Sequence, residues 1–137
     1  MSTSNYSPGL EGIISNTTSI SYLDVDVGQI LLRGYDLIEL SRKLTYPEVA
    51  YIIIHGVIPT DDDTESFASS LSKQYQIPDN IYDFFNLMPK NTNVMDAMRT
   101  GISMLAGYED PTFLTDNSRN ANLEKGLRLL AQTPSIA

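Results

Sequence analysis

The sequence has 137 residues, a hydrophobic fraction of 42% and a charged fraction of 19%, which is typical of one globular domain or part of one. Seventeen acidic residues against nine basic ones give a net charge of -8, which disfavours nucleic acid and anionic lipid surfaces as partners. Cysteine is absent, so disulfides and thiolate chemistry are excluded. The sequence predicts neither export nor membrane insertion, and we expect a cytoplasmic protein.

Short strands are predicted near the start of the chain. Residues 1–8 lack a pattern and are expected to fray. The β texture between residues 12 and 34 contains an alternation around Ile20 and an apolar run that starts at Ile30. The polar segment 24–28 supplies a turn between two strands.

The apolar period becomes helical at Leu37 and continues to Lys43. Thr45 and Glu48 have capping-box spacing, which predicts the start of a second helix that ends at Gly56. The interior of that second helix is rich in isoleucine and could also be read as a buried strand. The cap and the terminal glycine favour the helix.

Further helices are predicted in the second half of the chain. Thr60 opens one with an acidic first turn, which suits the helix dipole, and another spans residues 79–89. The next spans residues 93–107, and a last one begins near Asp116 with three leucines turned inward, which are Leu123, Leu127 and Leu130. The predicted fold class is therefore mainly α, with short N-terminal strands followed by about six helices.

Candidate reactive groups are few. His55 is the one histidine, and no local partner completes a nucleophilic site, so we interpret it as structural. The segment from Asp24 to Gly28 resembles the opening of a calcium loop, but Tyr35 stands where an EF-hand needs glutamate, so a solvated turn is favoured. The acidic run 61–63 could bind a divalent cation, although a helix N-terminus explains it. The residues alone predict no reaction.

Several segments, taken in order, carry a family pattern. They are GLEGII (9–14), TSIS (18–21), LLRGYDLIEL (31–40), PEVAYIII (47–54) and MDAMRT (95–100). In these segments the sequence resembles the opening of citrate synthases and of the closely related 2-methylcitrate synthases, and the RGYD block is the most specific element. Asn93 and Val94 stand where family members commonly carry His-Pro, and Asn93 is itself a good helix cap.

The resemblance implies a mostly α-helical homodimer, an acyltransferase that condenses acetyl-CoA with oxaloacetate to citrate and CoA at the entry to the tricarboxylic acid cycle. An aspartate takes a proton from the acetyl methyl group while a histidine stabilises the enol. A second histidine polarises the keto carbonyl, and arginines hold the dicarboxylate. None of these groups maps onto this chain. We therefore expect no catalytic, cofactor-binding or metal-binding residue here, and no cofactor, since acetyl-CoA is a substrate.

The resemblance places residues 9–137 in the N-terminal part of the citrate synthase large domain. The small domain and the rest of the large domain would then be absent, and we expect this truncated piece to be inactive alone. Two alternatives stay open. The chain could be a naturally short, non-catalytic dimerisation partner of a citrate synthase-like subunit, or a piece of a 2-methylcitrate synthase.

A dimer contact is implied for the helices at residues 79–89 and 93–107. Ala97 and Gly101 lie four residues apart, which permits close approach of another backbone. The alternative, that the same stripe packs only within one chain, stays open. The predicted interface residues are Met95, Met98, Gly101, Ile102 and Leu105.

Overall fold

The structure is a computed structural model that describes residues 8–137. Of residues 1–8, which are predicted to fray, all but Pro8 lie outside the described residues. The chain divides into two compact units, one that ends at Thr64 and one that comprises Glu65–Ala137. The described residues form seven α-helices, three short strands and two 3-10 turns, at Pro8–Leu10 and Ala106–Tyr108. The predicted mainly α class is confirmed.

The strands of the first unit form one antiparallel sheet in the order β1-β2-β3. Their bounds are β1 Ser21–Asp24, β2 Gln29–Leu32 and β3 Tyr35–Asp36. The predicted turn at 24–28 joins β1 to β2. The β region is predicted to begin at residue 12, but the first strand begins at Ser21. Ile13 and Ile14 lie outside the strands and are exposed.

A two-residue turn connects β2 to β3. Arg33 has a φ of 52° and Gly34 a φ of 88°, so both residues adopt left-handed conformations. Tight hairpins favour this arrangement because its twist matches that of the flanking strands. The amide of Arg33 also donates to the carbonyl oxygen of Ile20 at 2.8 Å, which ties the turn to the residue before β1.

Helix α1, Leu37–Lys43, begins where the sheet ends. The Asp36 carboxylate accepts from the amides of Ile38 and Glu39 at 2.9 and 3.0 Å and so caps the helix. The Glu39 amide and the Gln29 side chain hold the pKa of Asp36 below its ordinary value. A single carboxylate thus ends the sheet and starts the helix.

Helix α2, Tyr46–His55, has the predicted capping box and the predicted glycine stop. The Thr45 amide donates to Glu48 Oε2 at 2.7 Å. Gly56 adopts a φ of 83° and its amide donates to the Ile52 carbonyl oxygen at 2.7 Å. Ile52 is fully buried, so the isoleucine-rich interior is a helix with one inward face and not a strand.

The later helices are α3 Asp61–Lys73, α4 Asp79–Leu87, α5 Val94–Leu105, α6 Pro111–Thr115 and α7 Arg119–Ile136. Helix α6 is not predicted by periodicity because five residues span little more than one turn. The last helix begins three residues later than predicted, after Ser118, whose Oγ accepts from the Ala121 amide at 3.2 Å. The other helix starts agree with the predictions.

The second unit has a core of four buried residues, which are Ile77, Ile81, Leu105 and Ile136. Helix α7 closes this core, and Ser135 Oγ donates to the Tyr75 carbonyl oxygen at 2.8 Å. The predicted inward position of Leu123 is wrong, since 37% of it is exposed. The buried residues of α7 are Ala121, Ala131 and Ile136, because small side chains let this helix approach its neighbours closely.

Gly101 is a point of close packing inside the second unit. A Cβ atom at this position would lie 2.5 Å from Phe85 Cζ and 3.0 Å from Ile136 Cγ2. Real Cβ atoms do not approach that closely, so α4, α5 and α7 meet here only because position 101 has no side chain. Gly126 on α7 has no such neighbour within 4 Å.

We predict that Gly101→Ala and Gly126→Ala have opposite effects on stability. Both remove a helical glycine, which by itself favours the helix by about 0.5–1 kcal/mol. Gly126→Ala should therefore raise the free energy of unfolding, whereas overpacking at Gly101 costs about 1–3 kcal/mol. Urea unfolding of the two variants measures the difference, and equal stabilisation by both would contradict the packing described around Gly101.

Candidate functional site

His55 is the last residue of α2 and is exposed. Its ring packs on that of Tyr51, with centroids 4.2 Å apart and planes tilted by 30°. Hydrogen bonds from Thr60 lower the pKa of Asp63, and smaller contributions come from the Tyr51 hydroxyl and the charge of His55. The histidine therefore belongs to a cluster that joins the end of α2 to the start of α3, and its structural role stays a prediction.

The acidic segments form turns and caps. Asp24 Oδ1 accepts from the amides of Asp26 and Val27 at 3.1 and 3.2 Å, which makes the predicted turn between β1 and β2. In the acidic run of α3, Asp63 accepts from the Thr60 amide at 3.0 Å. Among residues 8–137 no group of three or more metal-ligating side chains is found. No helix in the same range is long and apolar enough to cross a membrane.

The four residues of the RGYD block have three structural roles: side-chain hydrogen bonds, a tight turn and a helix cap. Arg33 Nε donates to the Ile53 carbonyl oxygen at 2.9 Å, and its Nη1 donates to Ser19 Oγ at 2.9 Å. Gly34 completes the turn, and Asp36 caps α1. The block thus connects the sheet with α1 and α2.

The five predicted interface residues lie in different environments on α5. Gly101 and Leu105 are buried within this chain, and Met98 and Ile102 are partly buried against the same core. Met95 is 67% exposed. Packing within one chain thus covers four of these five residues. The predicted dimer contact stays a prediction, and Met95 is the residue most available for it.

A cavity of about 320 Å³ lies between α5, α6 and α7. Its walls are mainly apolar, and Arg128 stacks over the Phe113 ring at 4.6 Å from the centroid. Arg128 also pairs with Glu109 and, at 2.7 Å, with Glu124. Hydrogen bonds to Glu109 and, to a smaller extent, to Glu124 raise the pKa of Arg128 above its ordinary value.

Sequence reasoning did not identify this Arg128 cluster. The four-residue spacing of Glu124 and Arg128 on one helix is a signal that could have indicated the first pair. Glu109 and Phe113 are brought to Arg128 by the α5–α6 connection and by α6, and no local pattern specifies that approach. The missed contacts are those that depend on the tertiary fold.

Comparison with known proteins identifies the family. The family model described as "Citrate synthase, C-terminal domain" matches residues 9–137. The chain belongs to the citrate synthase family. The resemblance carried by the RGYD block and its neighbouring segments is thereby confirmed.

Alignments with relatives in the citrate synthase family cover nearly the whole of this chain but only about a third of each relative. The citrate synthase of Heyndrickxia coagulans is 35% identical over 136 residues, which are 99% of this chain and 36% of that protein. The citrate/2-methylcitrate synthase of Bacillus subtilis is 39% identical over 132 residues, which are 96% of this chain and 35% of that protein. The chain thus spans about a third of the length of these relatives.

Solved citrate synthases have the same fold over this length. The enzyme from Thermotoga maritima superposes with a TM-score of 0.77 at 27% identity, over 93% of this chain and 32% of that one. The enzyme from Thermoplasma acidophilum, solved as a ternary complex with carboxymethyl coenzyme A and oxaloacetate, gives a TM-score of 0.87 at 18% identity. That match covers 98% of this chain and 35% of the other, and it supports the fold.

Proposed function

We propose that this chain is part of a citrate synthase that joins acetyl-CoA to oxaloacetate and releases citrate and CoA. The family match over residues 9–137 carries this proposal. The new carbon–carbon bond links the acetyl methyl carbon to the keto carbon of oxaloacetate, and hydrolysis of the thioester then frees CoA. The reaction needs no bound cofactor, and we place it in the cytoplasm because a chain without cysteine suits a reducing compartment.

The residues of this chain supply scaffold to that reaction. The family chemistry implied by the resemblance uses two histidines, an aspartate and several arginines, whereas this chain has a single histidine, His55. That histidine packs on Tyr51 at the end of a helix. Relatives in the family include citrate synthases and 2-methylcitrate synthases, so the acyl-CoA partner is acetyl-CoA or its longer propionyl homologue.

We predict that the purified chain alone releases no CoA above background from acetyl-CoA and oxaloacetate, because the reacting groups lie outside it. A thiol-trapping assay measures the release, with the complete Bacillus subtilis relative as positive control. His55→Ala should leave the background rate unchanged. Turnover by the chain that is lost in His55→Ala would contradict the assignment of His55 to the scaffold.

A second role, pairing with another subunit, is supported by the exposed apolar side chains of α4 and α5. Leu87 at the end of α4 is 84% exposed, and Val94 and Met95 at the start of α5 are 72% and 67% exposed. Solvent-exposed apolar groups in one region are typical of a protein–protein contact. We infer that this region, and not the buried Gly101 and Leu105, contacts a second copy in a homodimer.

We predict that the chain self-associates at high concentration and that Met95→Glu weakens the association. A buried charge at the centre of such a contact raises the dissociation constant by about thirtyfold, equivalent to about 2 kcal/mol. Val27→Glu is the matched control, since Val27 is also 71% exposed but lies in the first unit. Sedimentation equilibrium measures both variants, and a strictly monomeric wild-type chain would exclude this contact.

A further inference from the structure

The guanidinium of Arg33 is oriented by neutral acceptors only. Its Nε and Nη1 donate to Ile53 O and Ser19 Oγ, each at 2.9 Å. No carboxylate in the described part of the chain forms an ion pair with it, and its Nη2 makes no hydrogen bond there. By contrast, Arg99 and Arg128 are paired with aspartate or glutamate.

An arginine keeps its positive charge at every accessible pH. Since no carboxylate among residues 8–137 pairs with Arg33, that charge is not balanced by an ion pair within this range. The side chain is only partly exposed. Partial removal from water strengthens the attraction of a fixed charge for a counter-ion. The Arg33 guanidinium is therefore a local positive charge that an anion can approach, although the whole chain carries a net charge of -8.

Arg33 lines a small pocket together with three residues that carry hydroxyl groups. This cavity, the Arg33 pocket, has a volume of about 130 Å³. Its lining includes Thr18, Ser19 and Ser21, with Ile20 and Leu31 as apolar walls and no acidic residue. The Ser21 hydroxyl makes no hydrogen bond within residues 8–137, so it can donate to a ligand. The volume equals that of about four liquid waters, which is enough for one tetrahedral oxyanion.

We propose that the Arg33 pocket binds a tetrahedral oxyanion, such as inorganic phosphate or the terminal phosphate of a small molecule. The guanidinium plane is held by its bonds to Ile53 and Ser19, so its orientation does not have to be established when the ligand binds. Arginine suits phosphate because its donors lie in one plane and match two oxygens, and serine hydroxyls supply the donors on the other side. This site does not depend on the proposed enzymatic role.

Inorganic phosphate is the probe for the first test. It is added to the ¹⁵N-labelled chain at constant ionic strength while the Arg33 Nε–H signal and the Ser21 amide are followed by NMR. We expect a saturable shift at millimolar phosphate and a weaker effect of acetate. Arg33→Lys, which keeps the charge but loses the planar donors, should weaken binding about tenfold, and Arg119→Lys should not. Absence of a saturable shift, or acetate binding as tight as phosphate, overturns the proposal.

Ser21→Ala separates ligand binding from folding, because the Ser21 hydroxyl has no partner in the described part of the protein. We expect it to weaken phosphate binding by about two- to tenfold, equivalent to one hydrogen bond, without loss of stability. Ser66→Ala, at an exposed serine outside the pocket, is the control. If Arg33→Lys does not fold, the comparison of Ser21→Ala with Ser66→Ala tests the site instead. An unchanged phosphate affinity in Ser21→Ala contradicts the proposal.

Discussion

The side chain of Arg33 connects parts of the first unit that are far apart in sequence. It bonds to Ser19 before β1 and to the Ile53 carbonyl near the end of α2, while its own backbone turns the chain from β2 to β3. Strands of four, four and two residues bury little apolar surface and are marginal alone. Directed hydrogen bonds from one rigid side chain therefore hold the sheet against the helix, and Asp36 continues the chain into α1.

The second unit relies on close packing instead. The absence of a side chain at Gly101 lets Phe85 and Ile136 pack against this position. The buried residues of α7 are two alanines and one isoleucine. The apolar stripe of α5 is thereby used largely inside the chain, which leaves Met95 as the exposed member of the predicted interface. One part of the stripe therefore belongs to the core, and its exposed end at Met95 is available for contact with another chain.

Local signals predicted most of the first unit correctly. The capping box of Thr45 and Glu48, the stop at Gly56 and the turn after Asp24 each depend on residues within a few positions of one another. Helix α6 is too short to show a period, and Leu123 follows the helical spacing yet is exposed because alanines occupy the closely packed face. The bonds of Arg33 to Ile53 and Ser19 join residues 20 and 14 positions apart, and no local pattern encodes them.

In this member of the citrate synthase family, the RGYD block organises the backbone of the first unit through Arg33 and Asp36. Amide hydrogen exchange of an Arg33→Gln variant tests this account most directly, with Arg119→Gln as control. Loss of the guanidinium should accelerate exchange at the amides of β2 and at Gly56, whose hydrogen bonds lie on either side of Arg33. Protection equal to that of the wild type at both places would contradict the central role of this arginine.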